Sequence, residues 1–163
     1  MIDVTTAFLQ GKPIERDVYL RPPKEAMEDS DRVWKFLVTV YGLCDAQRAW
    51  YDTVEEFFSS IRGRRMLRGA AVFVWMEGQR LRGFISTHVD DFLWAGVGDF
   101  ENTVVEPLRA RFPIGEESHG TFSYVGTRIE TRLDAEGNLL EIVMDHTDYV
   151  DELIPGEVDG SLK

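Results

Sequence analysis

Apolar and polar positions along the chain follow two different periods, and the change from one to the other outlines its elements. Residues 1–9, Met1-Ile2-Asp3-Val4-Thr5-Thr6-Ala7-Phe8-Leu9, form an apolar-rich run that predicts a β-strand, with a turn at Gly11-Lys12-Pro13. A short strand is expected around Val18-Tyr19-Leu20, ending at Pro22-Pro23. A polar, acidic loop follows from Lys24 to Arg32, and apolar-rich structure resumes over Val33–Val38. From Asp45 to Arg62 the period lengthens. Ala46, Ala49, Trp50, Val54, Phe57, Phe58 and Ile61 recur at three and four, which predicts an amphipathic helix with Asp45 as its N-cap.

After a basic stretch from Arg62 to Gly69, two strands are predicted over Ala70–Met76 and Leu81–Trp94, joined at Glu77-Gly78-Gln79. Phe100, Val104, Leu108 and Phe112 mark one face of a second helix over Asp99–Phe112, closed by Pro113 and Gly115. Residues 121–133 and 138–145 read as a last hairpin, followed by a short helix from Thr147 to Leu153. No internal repeat is visible. The Gly-rich, acidic end is expected to fray, giving a folded domain over 1–154 and a flexible tail over 155–163. The pattern predicts an α+β fold, an antiparallel sheet with helices packed on one face.

Composition narrows the functional classes. At 163 residues, 44% hydrophobic and 12% aromatic, the chain suits one domain with a real core. The single Cys44 excludes an internal disulfide and a cysteine-based zinc site, and three scattered histidines make no structural zinc, so an intracellular, cytoplasmic setting is expected. No apolar run is long enough for a membrane span, and no membrane partner is expected. A formal net charge of -11 argues against a protein that holds nucleic acid unaided, because that binding rests on basic residues neutralising phosphates. The abrupt start, inside a strand, leads to the expectation that the chain begins partway through a larger fold.

Candidate chemistry concentrates in Thr87-His88-Val89-Asp90-Asp91-Phe92-Leu93-Trp94-Ala95-Gly96. With 14 aspartates, chance alone supplies about one Asp-Asp pair, so the flanking residues carry the argument. Phe84-Ile85-Ser86 leads in, Phe92-Leu93-Trp94 leads out, and Gly83 and Gly96 punctuate the ends, the pattern of a hairpin with the acids at its tip. Two adjacent carboxylates amid so much apolar surface call for a cation between them, and Mg²⁺ is the usual solution.

Three blocks then resemble the reverse transcriptase of copia-type (pseudovirus) LTR retrotransposons. Asp3-Val4-Thr5-Thr6-Ala7-Phe8-Leu9-Gln10-Gly11, with Val18-Tyr19 and Pro22-Pro23 beyond it, is similar to the family's first catalytic-acid motif. Tyr41-Gly42-Leu43-Cys44-Asp45-Ala46-Gln47-Arg48-Ala49-Trp50-Tyr51 resembles Tyr-Gly-Leu-Lys-Gln-Ala-Pro-Arg-Ala-Trp-Tyr, and His88-Val89-Asp90-Asp91 resembles Tyr-Val-Asp-Asp. Order and spacing fit, and the likeness continues through Leu108–Phe112, Val125-Gly126 and Tyr149-Val150, over nearly the whole chain.

The resemblance implies a polymerase palm and an RNA-directed DNA polymerase using Mg²⁺ or Mn²⁺. Asp3, Asp90 and Asp91 would be both the catalytic residues and the ligands of two metals about 3.5–4 Å apart. Phe8 would sit beneath the deoxyribose and reject a 2′-hydroxyl, and the segment holding Gly42, Asp45 and Gln47 would line the incoming nucleotide and the template base. The implied partners are an RNA or DNA template-primer and a dNTP. Trp50 and Tyr51 read as core packing, and the Arg62, Arg64, Arg65 and Arg68 cluster as a solvated turn.

Cys44, Asp45 and Gln47 depart from the family's Lys, Gln and Pro. Asp45 matters most, since a carboxylate near a triphosphate adds repulsion where an amide would donate a hydrogen bond. Set against the family, the fingers and thumb segments required for activity are expected to be missing. That leaves three readings: a polymerase fragment inactive on its own, a non-catalytic palm-fold interaction module derived from a transposable element, or a different metal-dependent nucleotidyl-transfer enzyme that shares only the carboxylate geometry.

Overall fold

The computed structural model describes residues 1–26, 32–67, 71–151 and 153. The chain forms two compact units, Ile2–Glu116 and Met1 with Glu117–Lys163. The expected tail over 155–163 lies outside the described residues.

The larger unit is built on a six-stranded sheet. Its strands are β1 (Ile2–Val4), β4 (Arg64–Arg65), β5 (Val72–Glu77), β6 (Arg80–His88), β7 (Asp91–Gly96) and β8 (Ile114–Glu117), in the spatial order β4-β5-β6-β7-β1-β8. A separate small ladder pairs β2 (Tyr19–Leu20) with β3 (Trp34–Lys35). Helices α1 (Ala46–Ser60) and α2 (Glu106–Arg111) cover one face of the large sheet. Ile2, Val4, Phe73, Ile85 and Phe92 share a single buried cluster with Trp50, Val54 and Phe58 of α1 and Leu108 of α2. Side chains alternate across a strand, so the residues between these, Asp3 and Asp91 among them, lie on the other face.

Three sequence expectations are corrected here. The run over residues 1–9 is a strand only to Val4. Thr6 then adopts φ +53°, and Ala7–Gln10 closes as a 3₁₀ turn that tucks Ala7 and Phe8 into the core. The strand expected over Leu81–Trp94 is two strands, folded back at Val89-Asp90, which is the hairpin that the flanking glycines had indicated. The basic stretch is more than a solvated turn, because Arg64 and Arg65 pair with Val74 and Phe73 as an edge strand.

The second helix is also interrupted. Glu101–Val105 forms a π-turn in which Glu106 N–H reaches back to Glu101 O, and the regular helix begins only at Glu106. Pro107 lacks the N–H that would continue the tighter ladder, and the wider register accommodates it. Gly83 and Gly96 are cross-strand partners under Phe100. A Cβ at either position would come within 2.2–2.6 Å of that ring, so the glycines are the seat on which the helix entry rests.

The smaller unit is a meander of β9 (Thr121–Tyr124), β10 (Thr127–Leu133) and β11 (Leu139–Asp145), followed by α3 (Thr147–Asp151). The strand expected over 121–133 breaks at Val125-Gly126, whose φ values of +50° and +74° fit a type I′ hairpin turn. No helix among the described residues is long and apolar enough to cross a membrane.

Candidate active site

The β6–β7 connection forms the centre of the site. His88 pairs with Asp91 across the ladder, which leaves Val89 and Asp90 as a two-residue turn. Val89 takes φ +54° while Asp90 stays at negative φ, the signature of a type II′ turn, where glycine is the usual occupant. A β-branched side chain held at such a positive φ costs about 1–3 kcal/mol. Trp50 supports the turn from α1: its Nε1 donates to the Val89 carbonyl oxygen at 2.5 Å. The indole is held in turn by Phe112, edge-on at 5.1 Å, and by Phe92, stacked at 6.3 Å between centroids.

Strand β1 brings in the third carboxylate. Asp3 lies opposite Asp91 in the antiparallel β1–β7 ladder, and Val4 N–H donates to the Asp90 carbonyl at 2.9 Å. Space for Asp3 comes from Gly115 on β8. A Cβ there would stand 2.5 Å from Asp3 Oδ2 and 2.8 Å from Thr5 Oγ1. The three acids are half-buried.

This arrangement concentrates negative charge with no lysine or arginine paired to it among the described residues. Partial burial raises the Asp3 carboxyl above its ordinary value, and the charges of Asp90 and Glu116 raise it further. Burial likewise raises Asp91, with Asp90 and Asp3 adding to the shift and His88, its cross-strand neighbour, opposing it. Among the described residues no lysine or arginine forms an ion pair with any of the three. Three oxygen-donor groups, repelling one another and unpaired, suit a hard divalent cation chemically. Their side chains do not converge as a closed metal cluster: no group of three or more His, Cys, Asp or Glu residues among the described residues does. A cation would have to draw the carboxylates inward against their mutual repulsion.

The four expected nucleotide-side residues do not gather in one place. Phe8 and Gln47 border a cavity of about 340 Å³ beside the carboxylate turn, together with Trp50, Tyr51, His88 and Val89. Phe8 is nearly buried, its ring 4.5 Å from that of Tyr41, and Thr39 Oγ1 donates to its carbonyl. Gly42 is exposed at the third position of the Val40–Leu43 turn, where its φ of +94° requires glycine.

Asp45 turns away. It borders a different cavity of about 450 Å³ with Lys12, Arg16 and Arg48. Arg16 donates to both carboxylate oxygens, Nε at 3.1 Å and Nη2 at 2.9 Å, and holds the Asp45 carboxyl below its ordinary range. The expected N-cap bond is absent because the carboxylate is engaged by Arg16. The same pairing answers the repulsion that the sequence leads one to expect from Asp45.

Two residues of the site are not singled out by sequence for their roles here. Trp50 reads as core by its helical spacing, and only the fold shows its N–H aimed at the carboxylate turn. Gly115 reads as a helix terminator, although its lack of a side chain makes room for Asp3.

Comparisons with known proteins agree on one family. The profile of the family described as "Reverse transcriptase (RNA-dependent DNA polymerase)" matches residues 1–154. The chain is 32% identical over 139 residues to the Retrovirus-related Pol polyprotein from transposon RE1 of Arabidopsis thaliana, covering 81% of the chain and 9% of that polyprotein. It is 29% identical over 96 residues to the corresponding polyprotein from transposon RE2, covering 58% of the chain and 6% of the relative. The chain thus spans under a tenth of the curated relatives it matches. No solved structure matches it. With the profile running through both carboxylate-bearing strands, β1 and β7, and the turn that carries Asp90, the chain belongs to the reverse transcriptase family, as a domain of the copia-type retrotransposon Pol polyproteins.

Proposed function

We propose that residues 1–154 serve as a reverse transcriptase palm and that Asp3, Asp90 and Asp91 hold the divalent cations, Mg²⁺ or Mn²⁺, of nucleotidyl transfer. The observation that carries this reading is the placement of Asp3 opposite Asp91, next to Asp90 in a tight turn, with no lysine or arginine ion pair to any of the three among the described residues. When bound, such cations lower the pKa of a primer 3′-hydroxyl and neutralise the charge of a triphosphate. The protein's own residues position the reactants. Asp3 and Asp91 present oxygen ligands from two paired strands, and the Val89-Asp90 turn fixes the third. Phe8 supplies a rigid apolar wall to the adjoining cavity, suited to excluding a 2′-hydroxyl. Gln47, exposed at the rim of that cavity, has a free amide for the nucleotide or the template base. The partners on this reading are a template-primer of RNA or DNA and a dNTP.

A second reading is a palm-fold interaction module that has lost catalysis. It is favoured by Asp45, which occupies a nucleotide-side motif yet is committed to Arg16. Titration with Mg²⁺ or Mn²⁺ separates the two. Millimolar binding that disappears in Asp90→Asn supports the metal site; absence of binding in the unmodified chain supports the module. Primer extension on an RNA template then asks whether these 163 residues suffice for synthesis.

A further inference from the structure

Trp50 is the buried residue whose position the core alone does not explain. Its ring packs against Phe92 and Phe112, as a core aromatic should, yet its one polar atom reaches the backbone of the turn that carries Asp90. We infer that Trp50 is a positioning residue for the carboxylates: its indole N–H holds the Val89 carbonyl and thereby keeps Val89 in the left-handed conformation that aims Asp90 and Asp91.

The argument has three parts. Val89 is β-branched at φ +54°, a conformation such residues adopt only where their surroundings enforce it. The half-buried turn offers the Val89 carbonyl one side-chain donor, Trp50 Nε1, at 2.5 Å. The turn is also tied on its other side, because Asp90 O accepts from Val4 N–H on the strand bearing Asp3. A displacement of Val89 would therefore reach all three carboxylates through one peptide and one ladder bond. Gln47 and Trp50 are three residues apart on α1 and border the same cavity, so this contact also fixes the cavity's nucleotide side to its metal side.

This inference deepens the metal-site reading and rests on it for its consequence, so the test needs one readout that is independent of metal. In the 163-residue chain, Trp50→Phe keeps an aromatic ring against Phe92 and Phe112 and removes only the donor. Val89→Gly removes the need for the donor, since glycine accepts positive φ without support. Amide hydrogen exchange at Val4 reports the position of Asp90, and the affinity for Mn²⁺ reports the carboxylates. Trp50→Phe should speed exchange at Val4 by about tenfold relative to amides elsewhere in the sheet, and weaken Mn²⁺ by a similar factor, the scale of one lost bond to a buried carbonyl. The double variant Trp50→Phe with Val89→Gly should recover both.

Unchanged exchange at Val4 in Trp50→Phe, or a double variant no better than the single one, overturns the inference. If the unmodified chain binds no Mn²⁺, the metal-site reading fails and exchange at Val4 still decides whether Trp50 positions the turn. Should Trp50→Phe not fold, the indole proton of the unmodified chain supplies the answer. A proton held in this bond is protected from exchange, and one that exchanges at the rate of free indole overturns the contact.

Discussion

Asp3 of β1 stands directly across an antiparallel ladder from Asp91 of β7, so two like charges occupy a position where sheets normally place attractive or apolar pairs. Each has its carboxyl pushed up from its ordinary value by burial first and by neighbouring carboxylates after that. An acid whose folded pKa exceeds its unfolded one binds more protons when folded. Its effect is therefore to lower stability as pH rises from about the ordinary value of 3.8 through the raised one.

The charge repulsion predicts a stabilising variant. Asp91→Asn in EDTA at pH 7 should raise the unfolding temperature by about 1–3 °C, the equivalent of relieving about 0.2–1 kcal/mol of cross-strand repulsion. At pH 3, where the unmodified acids are already neutral, the difference should vanish. Thermal unfolding at the two pH values checks the sign, and a destabilised variant at pH 7 would count against unpaired charge at this position.

Metal should reverse that order. With an affinity near 1 mM, addition of about 10 mM Mg²⁺ stabilises the unmodified chain by about 1.4 kcal/mol, seen as a rise in unfolding temperature. Asp90→Asn and Asp91→Asn should show no such rise, so that the Asn variants are the more stable proteins in EDTA and the less stable ones in saturating Mg²⁺.

Gly115→Ala tests the room left for Asp3. The added Cβ would stand 2.5 Å from Asp3 Oδ2, forcing the carboxylate to another rotamer. The Mg²⁺-dependent stabilisation should fall by at least half while the fold persists, because the clash is with a flexible side-chain end. Calorimetric titration with Mn²⁺ gives the same answer directly.

Gly96→Ala tests a purely structural feature. Its Cβ would fall 2.2–2.5 Å from Phe100, against ring atoms that are themselves in the core. Overpacking of this kind costs about 1–3 kcal/mol, and denaturant unfolding should show that loss with metal binding otherwise intact.

The Arg16–Asp45 pair predicts a small effect. Both side chains are substantially exposed, at 50% and 40%, so Arg16→Ala should leave stability nearly unchanged, and the effect should be smaller still in high salt. Its larger consequence lies in charge. Removing Arg16 leaves Asp45 uncompensated at the head of α1, and any triphosphate binding should weaken, as measured by displacement of a fluorescent nucleotide.

The sequence by itself determined the elements whose signals are local and periodic. The 3.6-residue spacing from Ala46 to Ile61 specified α1 to within a residue or two, and the apolar flanks and glycines around Asp90-Asp91 marked a hairpin with the acids at its tip. It also specified the family, because three short blocks in the right order leave little room for chance. What the tertiary structure decided are the relations between residues far apart in sequence. Asp3 and Asp91 become neighbours only through the β1–β7 register, and Asp45 gives up its cap for a residue 29 positions earlier. Val89 keeps its left-handed backbone beneath a donor from a helix that ends almost thirty residues before it. Periodicity tells which face of an element is buried. Which atom meets which across that buried face depends on strand order and register, and these are settled only when the whole sheet closes on its helices.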